Sequence, residues 1–509
     1  MISATELQRR LAGHGEAALL DVREQGVHYR GHPFYASSAP LSRLELLIAD
    51  LVPRRTAPIV VFDGGEGLAT KAAARLAALG YGVVEILEDG CAGWRAAGGE
   101  LFSGINVPSK AFGEFVEHRY ETPRIEAKEL RALQTTGAKM VVLDSRPYEE
   151  YQRMCIPGGI DAPGAELAYR VHDLAADPDT LVVVNCAGRT RSIIGCQSLR
   201  NAGIANRVVA LKDGTMGWEL AGYGCERDAS RHAPAPSAEG RAKAQAAADG
   251  VAQRYGIKFA DAGLVHRWLQ DERRTTYLLD VRAREEFEQA HIVGSRHAPG
   301  GQLVQATDEY MAVRHARVVL VDPQRVRAIM TASWLGQMGW HDVYVLPSFA
   351  GFALETGPRK QAAFGLPPWP TTREAQGTVL DFSTSLRFHH RHIPGAWWVV
   401  RSRLDEARRA VGEQNMLTLT SEDGVLAQLA APEVQALWPQ ATVLVLQSGN
   451  AAWPGPWEQG HERTTTTRDD VWYKPYDHEA GFEQHARDYL AWEVALIEQI
   501  KRDPTIRFS

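Results

Sequence analysis

Short apolar runs that end in aspartate recur four times along the chain. They are Leu19-Leu20-Asp21, Val142-Leu143-Asp144, Leu278-Leu279-Asp280 and Val379-Leu380-Asp381. A second apolar run follows each of them, at residues 59–62, 181–184, 318–321 and 416–419. Apolar runs of this length predict strands that are buried on both faces, as in parallel sheets covered by helices.

Three landmarks keep a nearly constant spacing in the four copies. Beyond the second apolar runs stand Asp63, Cys186, Asp322 and Ser421, which lie 42, 42, 42 and 40 residues after the aspartates. A further 31, 32, 30 and 32 residues lead to Trp94, Trp218, Phe352 and Trp453. This register indicates an internal repeat, and we interpret the chain as four α/β modules of roughly 100 residues each.

The modules are placed at residues 1–105, 122–228, 256–358 and 373–460. A Pro/Ala-rich stretch and an Ala-rich helical pattern, residues 229–255, link the second and third modules. Residues 461–509 are predicted to form a C-terminal helical tail, in which an amphipathic pattern spans residues 482–501. We expect this tail to pack on a neighbouring module or across a homodimer, with recruitment of a partner as the alternative.

Composition and charge exclude several classes of function. The 509 residues are 45% hydrophobic and 23% charged, with a formal net charge of −6 and no long block of one sign. This balance argues against a nucleic-acid binder. The first residues lack the regions of a signal peptide, and no apolar run approaches the ~20 residues of a membrane helix. We therefore expect a cytoplasmic protein with small-molecule or protein partners and no membrane contact.

The five cysteines indicate reduced thiols. They are odd in number and contain no Cys-x-x-Cys pair, which argues against a disulfide framework, a structural zinc site or any metal. Four of them, Cys91, Cys155, Cys196 and Cys225, are interpreted as small buried hydrophobic residues.

Cys186 differs from the others because an apolar strand leads into it and a helical pattern begins a few residues later. Backbone N–H groups of such a loop and of the helix start converge on one point, which binds an anion and lowers the pKa of a thiol. Two arginines add positive charge suited to a dianionic substrate. Cys186 is therefore the candidate catalytic nucleophile. The candidate substrate-binding residues are Ala187, Gly188, Arg189, Thr190, Arg191 and Ser192.

These landmarks resemble those of the rhodanese family. They include the Asp-x-Arg pair Asp144 and Arg146, the stretch His392-Ile393-Pro394-Gly395-Ala396, which is degraded to Cys155–Gly159 in the second module, and the cysteine loop. The resemblance covers about residues 1–460, and it is closest to bacterial thiosulfate sulfurtransferases with four tandem modules. It implies a mainly parallel five-stranded sheet flanked by helices in each module.

The same resemblance implies a reaction. A sulfane sulfur passes from thiosulfate to Cys186 as a persulfide, sulfite leaves, and cyanide, a small thiol or a thiol protein accepts the sulfur, with no other cofactor. Modules one, three and four carry Asp63, Asp322 and Ser421 in place of the cysteine and are expected to be inactive. Asp144 and Arg146 recur in inactive copies, so they are expected mainly to hold the fold, with direct substrate contact by Arg146 left open.

Three alternatives remain at this point. A phosphatase of the Cys-x5-Arg type needs arginine six positions after cysteine, but Ser192 stands there and Arg191 lies one position earlier. A 3-mercaptopyruvate sulfurtransferase is less expected, because its family members tend to carry less basic loops. The third alternative is a non-catalytic or redox-sensing scaffold that binds proteins.

Overall fold

The computed structural model describes residues 1–359, 365–366 and 368–509. Strands and helices alternate as predicted, and the described residues contain four five-stranded sheets, one for each module. The α/β fold class with a mainly parallel sheet in each repeat is therefore confirmed.

The first module contains four parallel strands and five helices. In chain order they are α1 (Ala4–Ala12), β1 (Ala17–Asp21), α2 (Gln25–His28), β2 (Ala36–Ser38), a 3-10 helix (Leu41–Arg43), α3 (Leu44–Leu51), β3 (Ile59–Phe62), α4 (Leu68–Ala78), β4 (Val84–Ile86) and α5 (Gly90–Ala96). Strand β1 pairs with β2 and β3, and β3 pairs with β4. Helix α6 (Val107–Tyr120) follows; the sequence analysis assigned it no element, yet most of its residues are buried.

The second module is fully parallel, with strand order β5-β9-β8-β6-β7. Its elements are β5 (Arg124–Ile125), α7 (Ala127–Thr136), β6 (Met140–Asp144), α8 (Tyr148–Arg153), β7 (Ile160–Asp161), α9 (Glu166–Leu174), β8 (Leu181–Asn185), α10 (Thr190–Asn201), β9 (Val208–Leu211) and α11 (Gly214–Leu220). The predicted Ala-rich linker helix is α12 (Ala238–Tyr255).

The third module repeats this order with two additional short strand pairings. Its elements are β10 (Lys258–Phe259), α13 (Ala262–Leu269), β11 (Thr276–Asp280), α14 (Arg284–Gln289), β12 (His291–Ile292), β13 (Arg296–His297), α15 (Gly300–Gln305), α16 (Thr307–Tyr310), β14 (Val313–Arg314), β15 (Arg317–Val321), α17 (Val326–Gln337), β16 (Val343–Leu346) and β17 (Leu354–Glu355). Strand β14 leaves its own module and pairs antiparallel with β1, which completes the first sheet.

The fourth module and the tail complete the chain. Their elements are β18 (Thr371–Thr372), β19 (Thr378–Asp381), α18 (Ser385–His390), β20 (Trp397–Trp398), a 3-10 helix (Arg401–Arg403), α19 (Leu404–Val411), β21 (Met416–Thr420), α20 (Val425–Leu437), β22 (Thr442–Leu446), 3-10 helices (Gly449–Ala452 and Pro475–Asp477) and α21 (Phe482–Ile500). The tail helix begins at the predicted residue and ends one residue earlier than predicted.

Each central strand buries both faces, which explains the continuous apolar runs in the sequence. In β8, Val182 and Val184 lie in a large core shared by the first three modules, whereas Val183 faces a smaller core with Trp218. Successive side chains of a strand point to opposite faces, so a strand covered on both sides must be apolar at every position. No helix of the described residues combines the length and apolar character needed to span a membrane.

Candidate active site

The end of strand β8 fixes the start of the cysteine loop. Strands β6 and β8 run side by side with Asp144 opposite Asn185. Asn185 Nδ2 donates to Asp144 Oδ2 at 2.9 Å, and Arg146 donates to both oxygens of Asp144 at 2.8 and 2.7 Å. All three side chains are buried. The repeated Asp-x-Arg pair therefore holds the strand end from which Cys186 projects.

Cys186 lies at the bottom of a closed loop, which we call the Cys186 loop (residues 186–192). The residue is only 1% exposed, and its Sγ lies 3.5 Å from Ser192 Oγ. Ser192 Oγ in turn donates to the carbonyl of Arg189 at 2.8 Å. Helix α10 begins at Thr190, so the N–H groups of its first turn have no acceptor within the helix and face the loop.

A glycine after β9 allows the loop to close. Gly214 has φ of +57°, and a Cβ there would lie 2.2 Å from the carbonyl oxygen of Cys186. Thr215 N donates to that oxygen at 2.9 Å, and Met216 N donates to the carbonyl of Ala187 at 3.0 Å. Only glycine fits this approach, which explains the glycine that precedes the repeated aromatic landmark.

The other modules show where an anion sits in this loop. In the third module, Asp322 Oδ2 accepts from the backbone of Arg327 at 2.9 Å and Oδ1 accepts from that of Gln324 at 3.0 Å. In the first module, Asp63 accepts from the backbone N–H groups of Gly65 and Ala69, both at 2.9 Å. In each module one donor lies two positions after the aspartate, and the other lies five or six positions after it. We call this set of N–H groups the anion cradle.

The fourth module uses a neutral side chain in the same way. Ser421 Oγ accepts from Gly424 N at 3.1 Å and from Ala427 N at 3.3 Å. By position, the anion cradle of the second module consists of the N–H groups of Gly188, Arg191 and Ser192. In that module the side chain at the base of the cradle is a thiol, which can accept a sulfur atom or face a bound anion.

Arg191 brings a positive charge to the thiol. Its Nη2 donates to Glu150 Oε2 at 2.8 Å, and Lys474 Nζ lies 3.3 Å from the other Glu150 oxygen. Burial opposes the charge on Arg191, but attraction to Glu150 and to Cys186 raises its pKa. Burial likewise opposes ionisation of Glu150, whereas Arg191 and Lys474 hold the pKa of its carboxyl well below the usual range. Arg191 and Glu150 therefore form a partly buried charged pair near Cys186.

Arg189 points away from Cys186 and toward helix α6. Its Nε donates to Glu114 Oε1 at 2.7 Å and its Nη2 donates to Glu114 Oε2 at 2.8 Å. The same guanidinium also contacts Glu117, and its Nη1 lies 3.2 Å from Asp213 Oδ1. Because three carboxylates occupy the guanidinium, its arrangement favours anchoring of the loop to α6 over contact with substrate.

The tail covers the outside of the Cys186 loop. Glu493 is fully buried, and its Oε1 accepts from Thr190 Oγ1 at 3.0 Å and from Lys110 Nζ at 2.9 Å. Its Oε2 has no hydrogen-bond partner among the described residues. A Cβ added at Gly188 would lie 3.0 Å from that oxygen and 3.2 Å from the ring of Tyr489. The tail is thus one wall of the site.

The third module forms another wall. A Cβ at Gly164 would lie 2.4 Å from the Cα of Gly301, so the two modules meet backbone to backbone. Beside this contact lies a cavity of about 30 Å³ lined by Arg191 of the second module and Thr331 of the third. The third module therefore contacts the residues around Cys186.

Comparison with known proteins decides the family. A family model described as a rhodanese-like domain matches residues 3–97, 126–221 and 261–349, which together exceed half of the chain. The chain belongs to the rhodanese family. The fourth module lies outside the three matched segments, although it has the same strand order.

One solved rhodanese relative matches the whole chain. A crystal structure described as thiosulfate sulfurtransferase from Pseudomonas aeruginosa is 47% identical, with a TM-score of 0.95 over 100% of this chain and 99% of that one. A curated HTH-type transcriptional regulator of Mycobacterium tuberculosis is 40% identical over 87 residues, 17% of this chain. The chain spans about a third of that regulator, 37% of its length.

The structure brings together the residues of this rhodanese loop that the sequence singled out. Ser192 contacts Cys186, Arg191 interacts with it electrostatically, and Gly188 lies against the tail, while Ala187 and Thr190 hold the loop through a backbone carbonyl and a hydroxyl. Asp144 and Arg146 lie behind the loop. The functional assignments of these residues stay predictions. The other four cysteines lie outside the loop, and burial raises the pKa of Cys155 to about 11 and of Cys196 to about 12.

Several residues that reach the Cys186 loop from elsewhere in the chain could not be identified from the sequence. They are Lys110, Glu114, Glu117, Glu150, Lys474, Tyr489 and Glu493. One signal was present in the tail: Glu493 lies one helical turn after Tyr489, on the face predicted to be apolar. A carboxylate on a buried face requires a specific partner.

Proposed function

We propose that the protein is a thiosulfate sulfurtransferase that carries sulfur as a persulfide on Cys186. Membership in the rhodanese family and the full-length similarity to the Pseudomonas protein support a sulfurtransferase in general. The observation that carries the more specific proposal is the anion cradle. Three modules fill it with their own side-chain oxygen atoms, and the second module carries the Cys186 thiol at the same position.

The reaction follows from this arrangement in two displacements. The Cys186 thiolate attacks the outer sulfur of thiosulfate, the bond between that sulfur and the sulfonate sulfur breaks, and its electron pair leaves with sulfite. Cys186 now carries one additional sulfur as a persulfide anion. Cyanide or a thiolate acceptor then attacks the terminal sulfur, and the Cys186 thiolate is restored. The net change is transfer of one sulfur atom without an external oxidant.

The loop supplies charge stabilisation at both stages. By position in the loop, the N–H groups of Gly188, Arg191 and Ser192 correspond to the donors that bind the side-chain oxygens in the other three modules, so they would face the terminal sulfur of the persulfide. Arg191 adds a positive charge that interacts with Cys186. A dianion such as thiosulfate gains more from this charge than the monoanion 3-mercaptopyruvate does, which is our reason for choosing thiosulfate as donor.

The decisive experiment follows sulfur on the protein. After incubation with thiosulfate, intact-mass spectrometry should show one added sulfur atom on wild type, and cyanide should remove it as thiocyanate. Cys186→Ser should show neither. Cys196→Ser is the matched control, because this thiol lies in the same helix-loop unit but is fully buried away from the cradle. It should retain both signals.

The outcome also separates the competing functions. A wild-type protein that gains no sulfur and makes no thiocyanate would contradict the proposal and favour the scaffold or redox-sensing alternative. Turnover of an aryl phosphate that depends on Cys186 would favour the phosphatase. Turnover of 3-mercaptopyruvate well above that of thiosulfate would replace the proposed donor.

A further inference from the structure

A large cavity lies where the first module, the fourth module and the tail meet. Its volume is about 680 Å³. Tyr29 of the first module, His389 of the fourth and Tyr489 of the tail all line it. The cavity is distinct from the Cys186 loop, although the ring of Tyr489 forms part of both walls.

Two histidines and a glutamate converge on one side of this cavity. Nε2 of His389 and Nε2 of His461 each lie 3.9 Å from Oε1 of Glu479, and the ligand atoms of the three residues all lie within 4.8 Å of one another. The two imidazole rings are stacked, with centroids 4.2 Å apart and planes 20° from parallel. Both rings therefore present a nitrogen to the same carboxylate.

These separations suit a small divalent ion after slight movement. A tetrahedral zinc ion binds histidine nitrogen and carboxylate oxygen at about 2.0–2.2 Å, which places its ligand atoms about 3.3 Å apart. The two nitrogen–oxygen distances of 3.9 Å must close by about 0.6 Å, and the widest separation of the three ligand atoms, at most 4.8 Å, by up to about 1.5 Å. Glu479 is 70% exposed, so its side chain can move without disturbing the core.

The surrounding charge also favours a cation. Four carboxylates line the cavity, Asp469, Asp477, Glu479 and Asp488, against two guanidinium groups, Arg30 and Arg468.

We propose that His389, His461 and Glu479 bind one divalent transition-metal ion of the zinc class. His389 belongs to helix α18 of the fourth module, His461 follows that module, and Glu479 lies just before the tail helix α21. The ion thus ties the start of the tail to the fourth module. The absence of cysteine pairs does not bear on this site, because its ligands are imidazole and carboxylate groups brought together by the fold.

The test uses the full-length chain in a Cys186→Ser background, which removes a competing thiolate. After treatment with chelator and dialysis, titration with Zn²⁺ by calorimetry should show one ion bound per chain. Co²⁺ in its place should give the visible absorption of a nitrogen- and oxygen-coordinated site. The double variant His389→Ala/His461→Ala should weaken Zn²⁺ binding at least about tenfold.

Two control variants keep the result interpretable. His390→Ala alters the exposed neighbour of His389 on the same helix and should leave the affinity unchanged. His478→Ala/His485→Ala removes a second stacked pair that lines the same cavity and should also retain binding. Circular dichroism confirms that each variant is folded.

Three results would overturn the proposal. In the first, the protein with all three ligands intact binds no Zn²⁺. In the second, the His389/His461 double variant binds Zn²⁺ as tightly as the protein with all three ligands. In the third, only the His478/His485 variant loses Zn²⁺ binding. All readouts are independent of sulfur transfer, so failure of the proposed enzyme activity would leave this test intact.

Discussion

The second and third modules build the same loop around different side chains. Cys186 and Asp322 both follow the central strand of their sheet and precede a helix, and each has an arginine five residues later, Arg191 and Arg327. Each arginine pairs with a glutamate from the helix after the Asp-x-Arg pair, Glu150 in one case and Glu286 in the other. The surroundings of the two positions are therefore alike.

The two loops differ in the side chain that accepts hydrogen bonds from the N–H groups of the anion cradle. Asp322 accepts from Arg327 Nη2 at 3.0 Å and from three backbone N–H groups, so the third module carries its own anion. Cys186 Sγ lies 3.5 Å from the Ser192 hydroxyl. The third module satisfies its donors with its own carboxylate, whereas the second module carries a thiol at that position. Under the proposed function, the second module presents its donors to a substrate, and this one side chain accounts for the difference.

The largest expected effect comes from giving the second module the side chain of the third. Cys186→Asp should reduce thiosulfate turnover to the assay background, because the nucleophile is lost and a carboxylate fills the cradle. The same carboxylate should accept the N–H groups of Gly188, Arg191 and Ser192 and raise the melting temperature above that of Cys186→Ala. Differential scanning fluorimetry compares the two variants. A lower melting temperature for the aspartate variant would contradict the anion cradle.

Substitution of Arg191 and of Arg189 should separate the effect on catalysis from the effect on anchoring of the Cys186 loop. Arg191→Gln should lower kcat/KM for thiosulfate by roughly 10²–10³-fold, since it removes a preorganised charge beside the reacting sulfur. Use of a neutral sulfane donor should fall less. Steady-state kinetics with both donors measures the difference.

Arg189→Gln is the matched control for that measurement. It leaves Glu114, Glu117 and Asp213 without their cation, which costs about 3–5 kcal/mol of stability in a buried cluster. Its activity per folded molecule should fall less than that of Arg191→Gln. Equal losses of kcat/KM in the two variants would refute the division of roles.

The smallest expected effects concern the aspartates that stand in place of the cysteine in the third and first modules. Asp322→Asn keeps the shape but removes the charge that pairs with the fully buried Arg327, and it should cost about 1–3 kcal/mol of stability. Asp63→Asn should cost less, about 0.5–1.5 kcal/mol, because Asp63 accepts from backbone N–H groups, those of Gly65 and Ala69. Thermal melts rank the two variants. A larger loss for Asp63→Asn would show that the arginine pair does not set the difference.

Much of the fold could be predicted because its signals are local. The apolar runs in β6 and β8 and the glycine at position 214 reflect constraints that act within one strand or one turn. Helix α6 was missed because its buried residues include Ser109, Lys110 and Glu114, so the usual apolar stripe is broken. Polar residues are buried there because distant partners satisfy them, and a single sequence does not show those partners.

The same distinction applies to the candidate site. The place of Cys186 at a strand end and the length of its loop could be predicted, since a strand end, a thiol and a helix start are adjacent in sequence; its role as nucleophile stays a prediction. Arg189 and Arg191 could not be told apart, because they lie two positions apart and differ only in which carboxylates they meet. Glu114 on α6 turns one guanidinium outward, and Glu150 on α8 holds the other beside the thiol.

The sequence by itself determined the fourfold repeat, the α/β fold class, the position of Cys186 and the three substitutions that leave the other modules without a thiol. These features follow from hydrophobic periodicity and from residues close together along the chain. Only the tertiary structure decided that the tail covers the Cys186 loop, that the third module walls it, and that His389, His461 and Glu479 meet at one cavity. Contacts between residues that are far apart in sequence depend on how whole modules pack, and local sequence patterns do not predict that packing.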